Sequence, residues 1–239
     1  MKDRMPLITY PRLSLEVEDI AASWGSRRER LASARVTAML SELLAKIDAE
    51  GWVQPKASFR VWKVVDSARD WLGLEGGSRI SSPALGHHLP GATHVAAGVC
   101  TIGSAIEEHV RQMFASSDRL RGVMLDEIGT LMLFCLGDRL EEAMQAEAAR
   151  YGLDASAALS PGDDGFAIPQ QAVVLELAAG ADIGVSLTSG GMLMPRKSLS
   201  AVVGFGLRMP KESRAERCER CAARERCPHR WPRTSGVAA

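Results

Sequence analysis

Residues 94–110, with the sequence HVAAGVCTIGSAIEEHV, join a short apolar run directly to a helical pattern. The apolar run ends at Gly103, which is typical of a buried strand. Ser104 is a residue type that favours the helix N-cap, and Glu107 follows it at the spacing of a capping box. These residues therefore predict a buried strand that turns into a helix.

Helical spacing continues on both sides of this stretch. Residues 27–50 place apolar side chains at helical intervals with charged side chains between them, and Gly51 follows, which predicts an amphipathic helix. Residues 120–149 predict a long helix with a buried first half and an amphipathic second half. Residues 171–181 predict a shorter helix.

Strand patterns lie between these helices. Residues 52–66 have strand-like or irregular character, residues 183–187 alternate ahead of a Gly-Gly turn, and residues 199–207 form another strand candidate. Residues 73–92 are rich in Gly, Ser and Pro and predict a loop. Helices and strands are mixed without a regular βαβ repeat. We therefore predict an α+β fold in which flanking helices cover a mixed, largely antiparallel twisted sheet.

The chain length of 239 residues allows one large core with an appendix. We predict an α+β domain at 1–210, whose N-terminal helical part covers about 1–85, a basic cysteine-rich segment at 211–231, and a disordered tail at 232–239. No apolar run approaches the roughly 20 residues that span a bilayer, and the N-terminal sequence lacks the apolar core of a secretory signal. We therefore predict a cytoplasmic protein without membrane association.

Charge is unevenly distributed along the chain. The segment 211–233 has eight Lys or Arg residues against four Glu, a net charge of +4, and the remainder carries −4 because the whole chain is neutral. Such asymmetry is typical of a solvated basic helix or of a segment that binds an acidic partner. We do not predict a nucleic-acid partner.

Residues 217–231, with the sequence RCERCAARERCPHRW, hold three of the five cysteines. Cys218 and Cys221 are separated by two residues, a spacing that lets both sulfurs reach one metal. Cys227 and His229 follow. Three thiolates and an imidazole would complete a zinc site, whereas an iron–sulfur cluster could use the three cysteines. We predict metal or cluster binding here, with reduced, unliganded thiols as the alternative. The remaining cysteines, Cys100 and Cys135, lie in apolar segments and are predicted to be buried.

Four blocks in one order carry a resemblance to a known family. They are HVAAGVCTIGSAIEEHV at 94–110, LDEIGTLMLFCLGDRLEEAM at 125–144, LSPGDDGFAIPQQ at 159–171 and IGVSLTSGGMLMPRKSLSAVVGFG at 183–206. Over about residues 90–230 the chain resembles the activation domain of vitamin B12-dependent methionine synthase. More narrowly, it resembles stand-alone bacterial proteins of that family, which often close with a short cysteine-rich tail.

The resemblance implies a function. Activation domains of this family bind S-adenosylmethionine beside a corrinoid in the inactive cob(II)alamin state, an electron arrives from a flavodoxin or ferredoxin-type donor, and the methyl group traps the reduced cobalt. Methyl transfer thereby pulls an uphill reduction forward. The implied partner is a separate corrinoid protein or cobalamin-dependent methyltransferase.

The family binds the cofactor around a pattern similar to Arg-x-x-Pro-Gly-Tyr, and this chain departs from it. Ala158 stands in the place of the arginine and Asp163 in the place of the tyrosine, and Phe134 aligns with an acidic or polar residue of the family. A guanidinium suits this role because its planar fork clamps a carboxylate with two hydrogen bonds. The resemblance places the cofactor site at Ser160, Pro161, Gly162, Asp163, Gln171, Arg196 and Lys197.

Two functional hypotheses follow from these residues. In the first, the chain binds S-adenosylmethionine in an altered groove and supports reductive methylation of a corrinoid protein. In the second, the groove is degenerate, and the chain is a non-catalytic module that docks the corrinoid protein or a redox partner through its cysteine-rich segment. Loss of one charge-assisted bidentate contact costs about 1.5–3 kcal/mol of binding free energy. A measurement of S-adenosylmethionine binding therefore distinguishes the two hypotheses.

Overall fold

A computed structural model describes residues 7–8, 13–24, 33–212, 216, 218–219, 224–225 and 227. The architecture is α+β, as predicted, and it consists of a curled antiparallel sheet with helices on both faces. Among the described residues, no helix is long and apolar enough to cross a membrane.

Seven strands form the main sheet in the order β4-β3-β2-β5-β9-β6, and β1 pairs with β2 beside this path. The strands are β1 Leu7–Ile8, β2 Lys56–Ala68, β3 Trp71–Leu74, β4 Arg79–Ser81, β5 His94–Thr101, β6 Asp154–Ala155 and β9 Ser198–Gly206, while β7 Ser186–Leu187 and β8 Leu193–Met194 form a separate hairpin. The central strand β5 pairs with β2 over eight residues and with β9 over eight residues. It is therefore the best-anchored strand of the sheet.

Six α-helices accompany the strands in the described residues: α1 Val17–Ser23, α2 Ala34–Glu50, α3 Leu85–His88, α4 Ala105–Ala115, α5 Arg119–Arg150 and α6 Gln171–Leu177. Helix α2 begins at Ser33, whose side chain accepts a hydrogen bond from Val36 N, and ends at Gly51 in the left-handed conformation. Helix α5 agrees with the predicted helix at 120–149 to within a residue at each end.

An ion pair joins the start of α5 to α2. The Arg121 guanidinium donates to both carboxylate oxygens of Glu42 at 2.8 and 2.6 Å. This contact, together with Lys46, lowers the pKa of Glu42 to about 2. Both side chains are partly exposed, so the pair orients the two helices more than it stabilises them.

Both faces of the sheet are buried. On one face, Ala96 and Cys100 of β5 pack with α1, α2 and α5, and on the other, Val95, Ala97 and Val99 pack with α3 and α6. A strand that is buried on both faces needs apolar side chains at every position. This explains the unbroken apolar run in residues 95–100. Burial also raises the pKa of the Cys100 thiol to about 12, and Cys135 is half-buried.

Two glycines bring α5 close to the sheet. A Cβ at Gly98 of β5 would lie 2.7 Å from Met144 Sδ, and a Cβ at Gly137 of α5 would lie 2.9 Å from Leu199 Cδ1. A Cβ at either position would force the facing Met144 or Leu199 side chain to shift, so the two glycines let the second half of α5 pack directly on β5 and β9. This packing positions one wall of the candidate site.

Two local predictions were wrong. The predicted loop at 73–92 contains part of β3, all of β4 and α3, because β2 continues past β5 and offers a pairing edge to a hairpin. The predicted capping box of α4 does not form, because Ser104 makes no side-chain cap. Its partner Glu107 instead accepts a hydrogen bond from Lys197 N at 2.8 Å. In both cases a tertiary contact replaces the local one.

Candidate functional site

A groove of about 520 Å³ lies where the second half of α5, the loop 156–166 and strand β9 meet. Its volume is within the range of small-molecule sites. Fifteen described residues line it: Phe134, Gly137, Asp138, Leu140, Glu141, Met144, Ala158, Ser160, Pro161, Gly162, Asp163, Leu199, Ser200, Ala201 and Cys218. The sequence-predicted residues 160–163 are therefore all brought together in this groove.

The floor of the groove is the open edge of strand β9. Val202 and Leu159 exchange two backbone hydrogen bonds of 2.9 Å, and Gly204 accepts one from Ser156 N. Strand alternation then points the N–H and C=O of Ser200 toward the same edge. Pro161, two residues beyond Leu159 and in the same lining, has no N–H to donate. Among the described residues, no backbone hydrogen bond closes the edge at this position.

The loop over this edge is a tight, self-bonded turn. Asp163 Oδ2 accepts a hydrogen bond from Ser160 N at 2.7 Å, and Asp163 N donates to Ser160 O at 2.9 Å. Gly162 between them adopts a φ of 106°, which favours glycine. These bonds hold the Asp163 carboxylate beside the groove.

A buried anchor fixes the far end of the loop. Phe166 is 1% exposed and packs in the core on the α6 face of the sheet. Its backbone accepts from Gly162 N at 2.7 Å, and Ser82 Oγ donates to Gly165 O at 2.6 Å. The loop is therefore attached at both ends, to β9 and to the segment after β4.

Helix α5 supplies the second wall and most of its charge. Glu141 is half-buried, and its Oε1 accepts from Ala158 N at 2.9 Å and from Gln145 Nε2 at 3.3 Å. Asp138 lies one turn earlier on the same face. With Asp163 from the loop, the described lining carries three carboxylates and neither lysine nor arginine.

The cysteine-rich segment is described only in part. Cys218 is half-buried and lines the groove, whereas Cys221 and His229 lie outside the described residues. Cys227 is described and half-buried. Within the described part of the chain, no group of three His, Cys, Asp or Glu side chains could hold a metal ion. The proposed ligand set of Cys218, Cys221, Cys227 and His229 stays a prediction.

Three predicted site residues lie elsewhere. Gln171 Nε2 donates to Gly191 O at 2.8 Å, and Arg196 is exposed on the turn after β8. Lys197 Nζ lies 2.8 Å from Asp126 Oδ1 and donates to Thr130 Oγ1 at 2.7 Å, on the first half of α5. The structure therefore does not bring these three side chains into the groove lining.

Sequence reasoning missed Asp138, Glu141 and Ser200. The first two could have been found, because positions 134, 137, 138, 141 and 144 share one face of a helix. Ser200 could not, since its contribution depends on which strand edge remains open.

No protein-family model matches the sequence. No protein of curated function matches it either. A crystal structure of the MetH reactivation domain bound to AdoHcy superposes on 88% of this chain and 82% of its own, with a TM-score of 0.60 and 13% identity. The fold resembles the MetH reactivation domain. At this identity the likeness concerns the fold alone, and it agrees with the predicted α+β fold.

Proposed function

We propose that this protein binds S-adenosylmethionine in the groove between α5, the loop 156–166 and β9, and supports the reductive methylation of a corrinoid carried by a partner protein. The observation that carries the proposal is the open backbone edge at Ser200. An adenine presents one amino donor next to one ring acceptor, which matches a peptide N–H and C=O on one strand. A groove of about 520 Å³ also suits a nucleoside with a short chain.

The methyl-transfer step determines what the groove must expose. One electron from a flavodoxin or ferredoxin-type donor reduces Co(II) to Co(I), the cobalt forms a bond to the methyl carbon, and the C–S bond breaks to leave a neutral thioether. The sulfonium must therefore face solvent, where a corrinoid protein can approach. Gly162 and Asp163 line the groove and are exposed.

The anchoring of the amino-acid part differs from the family pattern. Ala158 provides no guanidinium for the ligand carboxylate, and loss of one bidentate contact lowers affinity roughly tenfold to a hundredfold. Binding is therefore expected to be weaker by about that factor than it would be with a guanidinium at this position.

Calorimetry with S-adenosylmethionine and S-adenosylhomocysteine tests the proposal. Ser160→Trp places an indole in the groove and should abolish the binding heat, whereas Asp164→Trp, on the same loop but outside the groove lining, should not. A full chain that binds neither ligand at millimolar concentration would sink the proposal. Equal affinities of the two variants would place the ligand elsewhere.

The second candidate function is a non-catalytic module that docks a corrinoid protein or redox partner. Ala158 favours it, because a methyl side chain at this lining position cannot clamp a ligand carboxylate. The metal-binding role of the cysteine-rich segment belongs to this candidate as well. Metal analysis of protein purified without oxygen separates iron from zinc, and a Cys221→Ser variant that keeps its full metal content would exclude the proposed ligand set.

A further inference from the structure

The hairpin of β7 and β8 presents two methionines to solvent. Met192 is 61% exposed and Met194 is 38% exposed, whereas Leu193 between them is buried in the core on the α6 face. Successive side chains of an extended segment point in opposite directions, so the two methionines share the outer face. Together with Ile168, which is 41% exposed, they form what we call the hairpin surface.

The hairpin surface adjoins the groove. A Cβ on Gly162, which lines the groove, would lie 3.0 Å from Ile168 Cδ1. A Cβ on Gly191 of the hairpin turn would lie 3.6 Å from Ile168 Cγ2. Ile168 therefore lies between the groove loop and the hairpin turn, and a broad molecule that covers Gly162 reaches the hairpin surface as well.

Hydrogen bonds hold the hairpin turn in place. Thr188 N donates to Met192 O at 2.9 Å, and Met192 N donates to Thr188 Oγ1 at 3.1 Å. Gln171 Nε2 donates to Gly191 O at 2.8 Å, which attaches the turn to α6. Because the turn is already ordered, little backbone entropy is lost when a partner binds to it.

The two stretches that form the hairpin surface carry no charge. Residues 165–175 and 183–195 contain neither Asp, Glu, Lys nor Arg, although these four types make up 24% of the chain. The central parts of protein interfaces are depleted in charged residues and enriched in methionine. The composition therefore favours a docking surface for a neutral, apolar partner.

A corrin ring has this chemistry. It is a broad, largely apolar ring whose rim carries methyl groups and neutral carboxamides. Methionine is flexible and its sulfur is polarizable, so its side chain adapts to an irregular apolar face. We propose that the hairpin surface receives the corrin ring of the partner's cofactor while the groove presents the methyl donor. This inference rests on the proposed function.

Nuclear magnetic resonance with cob(II)alamin tests the inference. The unpaired electron of Co(II) broadens nearby signals, so the full chain, labelled with carbon-13 at its methionine methyl groups, is titrated without oxygen. We expect the signals of Met192 and Met194 to broaden at least about threefold more than that of Met113, which is half-buried on α4. Replacement of each methionine by leucine assigns the signals.

A matched pair of variants measures the contribution of the surface. Met192→Glu should weaken cob(II)alamin binding about tenfold or more, because docking would bury an unpaired charge. Val65→Glu is the control, because Val65 on β2 is also 61% exposed and lies outside the hairpin surface. Calorimetry should give both variants the S-adenosylmethionine affinity of the natural chain.

The outcomes separate this inference from the proposed function. Absence of selective broadening at millimolar cob(II)alamin, or equal weakening by the two variants, overturns the inference, while calorimetry reports independently on nucleoside binding. A corrin that docks without any nucleoside binding contradicts the proposed function and leaves the docking surface in place.

Two further measurements exclude other occupants. An affinity for cob(II)alamin that falls steeply with salt would assign docking to the basic segment 211–233 and overturn the inference, because salt screens charge and not apolar contact. Sedimentation of the chain alone should show no self-association through this surface. A dimer that Met192→Glu dissociates would assign the hairpin surface to a second copy of the chain instead.

Discussion

Strand β9 has two edges that differ sharply. Toward β5, it pairs without interruption over eight residues, from Ser198 with Thr101 to Phe205 with His94. Toward β6 and the loop, pairing is patchy and ends at Leu159 with Val202. Pro161, two residues beyond Leu159, has no N–H with which to extend this pairing. A single strand can therefore stabilise the core with one edge and line the candidate groove with the other.

The largest expected effect comes from disturbing the β5 side of strand β9, where pairing is uninterrupted. Gly98→Val on β5 would drive a side chain into Met144 and Leu140, so we expect a loss of about 2–3 kcal/mol in the free energy of unfolding. Chemical denaturation measures it. Gly190→Val is the control, because the nearest atom to its Cβ lies at 3.8 Å and its φ is not positive. Equal losses would mean that close packing of α5 on β5 is not required.

The next prediction concerns the groove at the open edge of β9, where a substitution introduces a cation. Ala158→Arg should raise the affinity for S-adenosylmethionine about tenfold to a hundredfold, since a guanidinium at this lining position can clamp the ligand carboxylate. Calorimetry measures the change. Ala158→Leu adds bulk without charge and should not improve binding. A gain with leucine as large as with arginine would contradict the electrostatic explanation.

Alkaline pH tests burial on the β5 side of β9, at Cys100, which pairs with Leu199 of β9. Burial raises the pKa of this thiol from 9.0 to about 12, so the folded state keeps its proton while the unfolded state loses it. The resulting stability is present below pH 9 and is lost as pH rises toward 12, with about 1.4 kcal/mol lost by pH 10. Denaturation midpoints between pH 8 and 11 should fall less steeply in Cys100→Ala than in the natural chain. Parallel pH profiles would contradict burial of the thiol.

The smallest effect distinguishes the bonded from the unbonded position on the outer edge of β9, without a mutation. The amide of Ser200 should exchange with deuterium at least about tenfold faster than that of Val202, whose N–H is bonded to Leu159 O. Nuclear magnetic resonance resolves the two amides. Equal protection would mean that the open edge is closed in solution. Protection of Ser200 that appears only with bound nucleoside would support the proposed site.

Local pattern was sufficient for much of the fold. The apolar run of β5 predicts a strand that is buried on both faces, and the helical period of α5 predicts one continuous helix. The spacing of each segment was therefore sufficient to predict its element. The hairpin β3–β4 was not predicted, because its glycines are typical of a loop and because it pairs with the distant extension of β2. Glu107 looked like a cap and is instead held by Lys197 N.

The site was predictable in its loop and not in its walls. Residues 160–163 carry a turn pattern that needs no distant partner, and they line the groove. The family resemblance predicts Lys197 near the ligand, but its side chain binds Asp126 and Thr130. Its direction depends on where α5 packs, which the local sequence does not determine.

Helix α5 connects the groove to a remote part of the molecule. Its 32 residues span about 48 Å, with Met144 in the groove near one end and Arg121 bound to Glu42 of α2 near the other. Because the helix is continuous, any tilt at the ligand end displaces the far end in proportion to the distance between them. A reporter group on α2 would therefore register any such tilt at a site that it never touches.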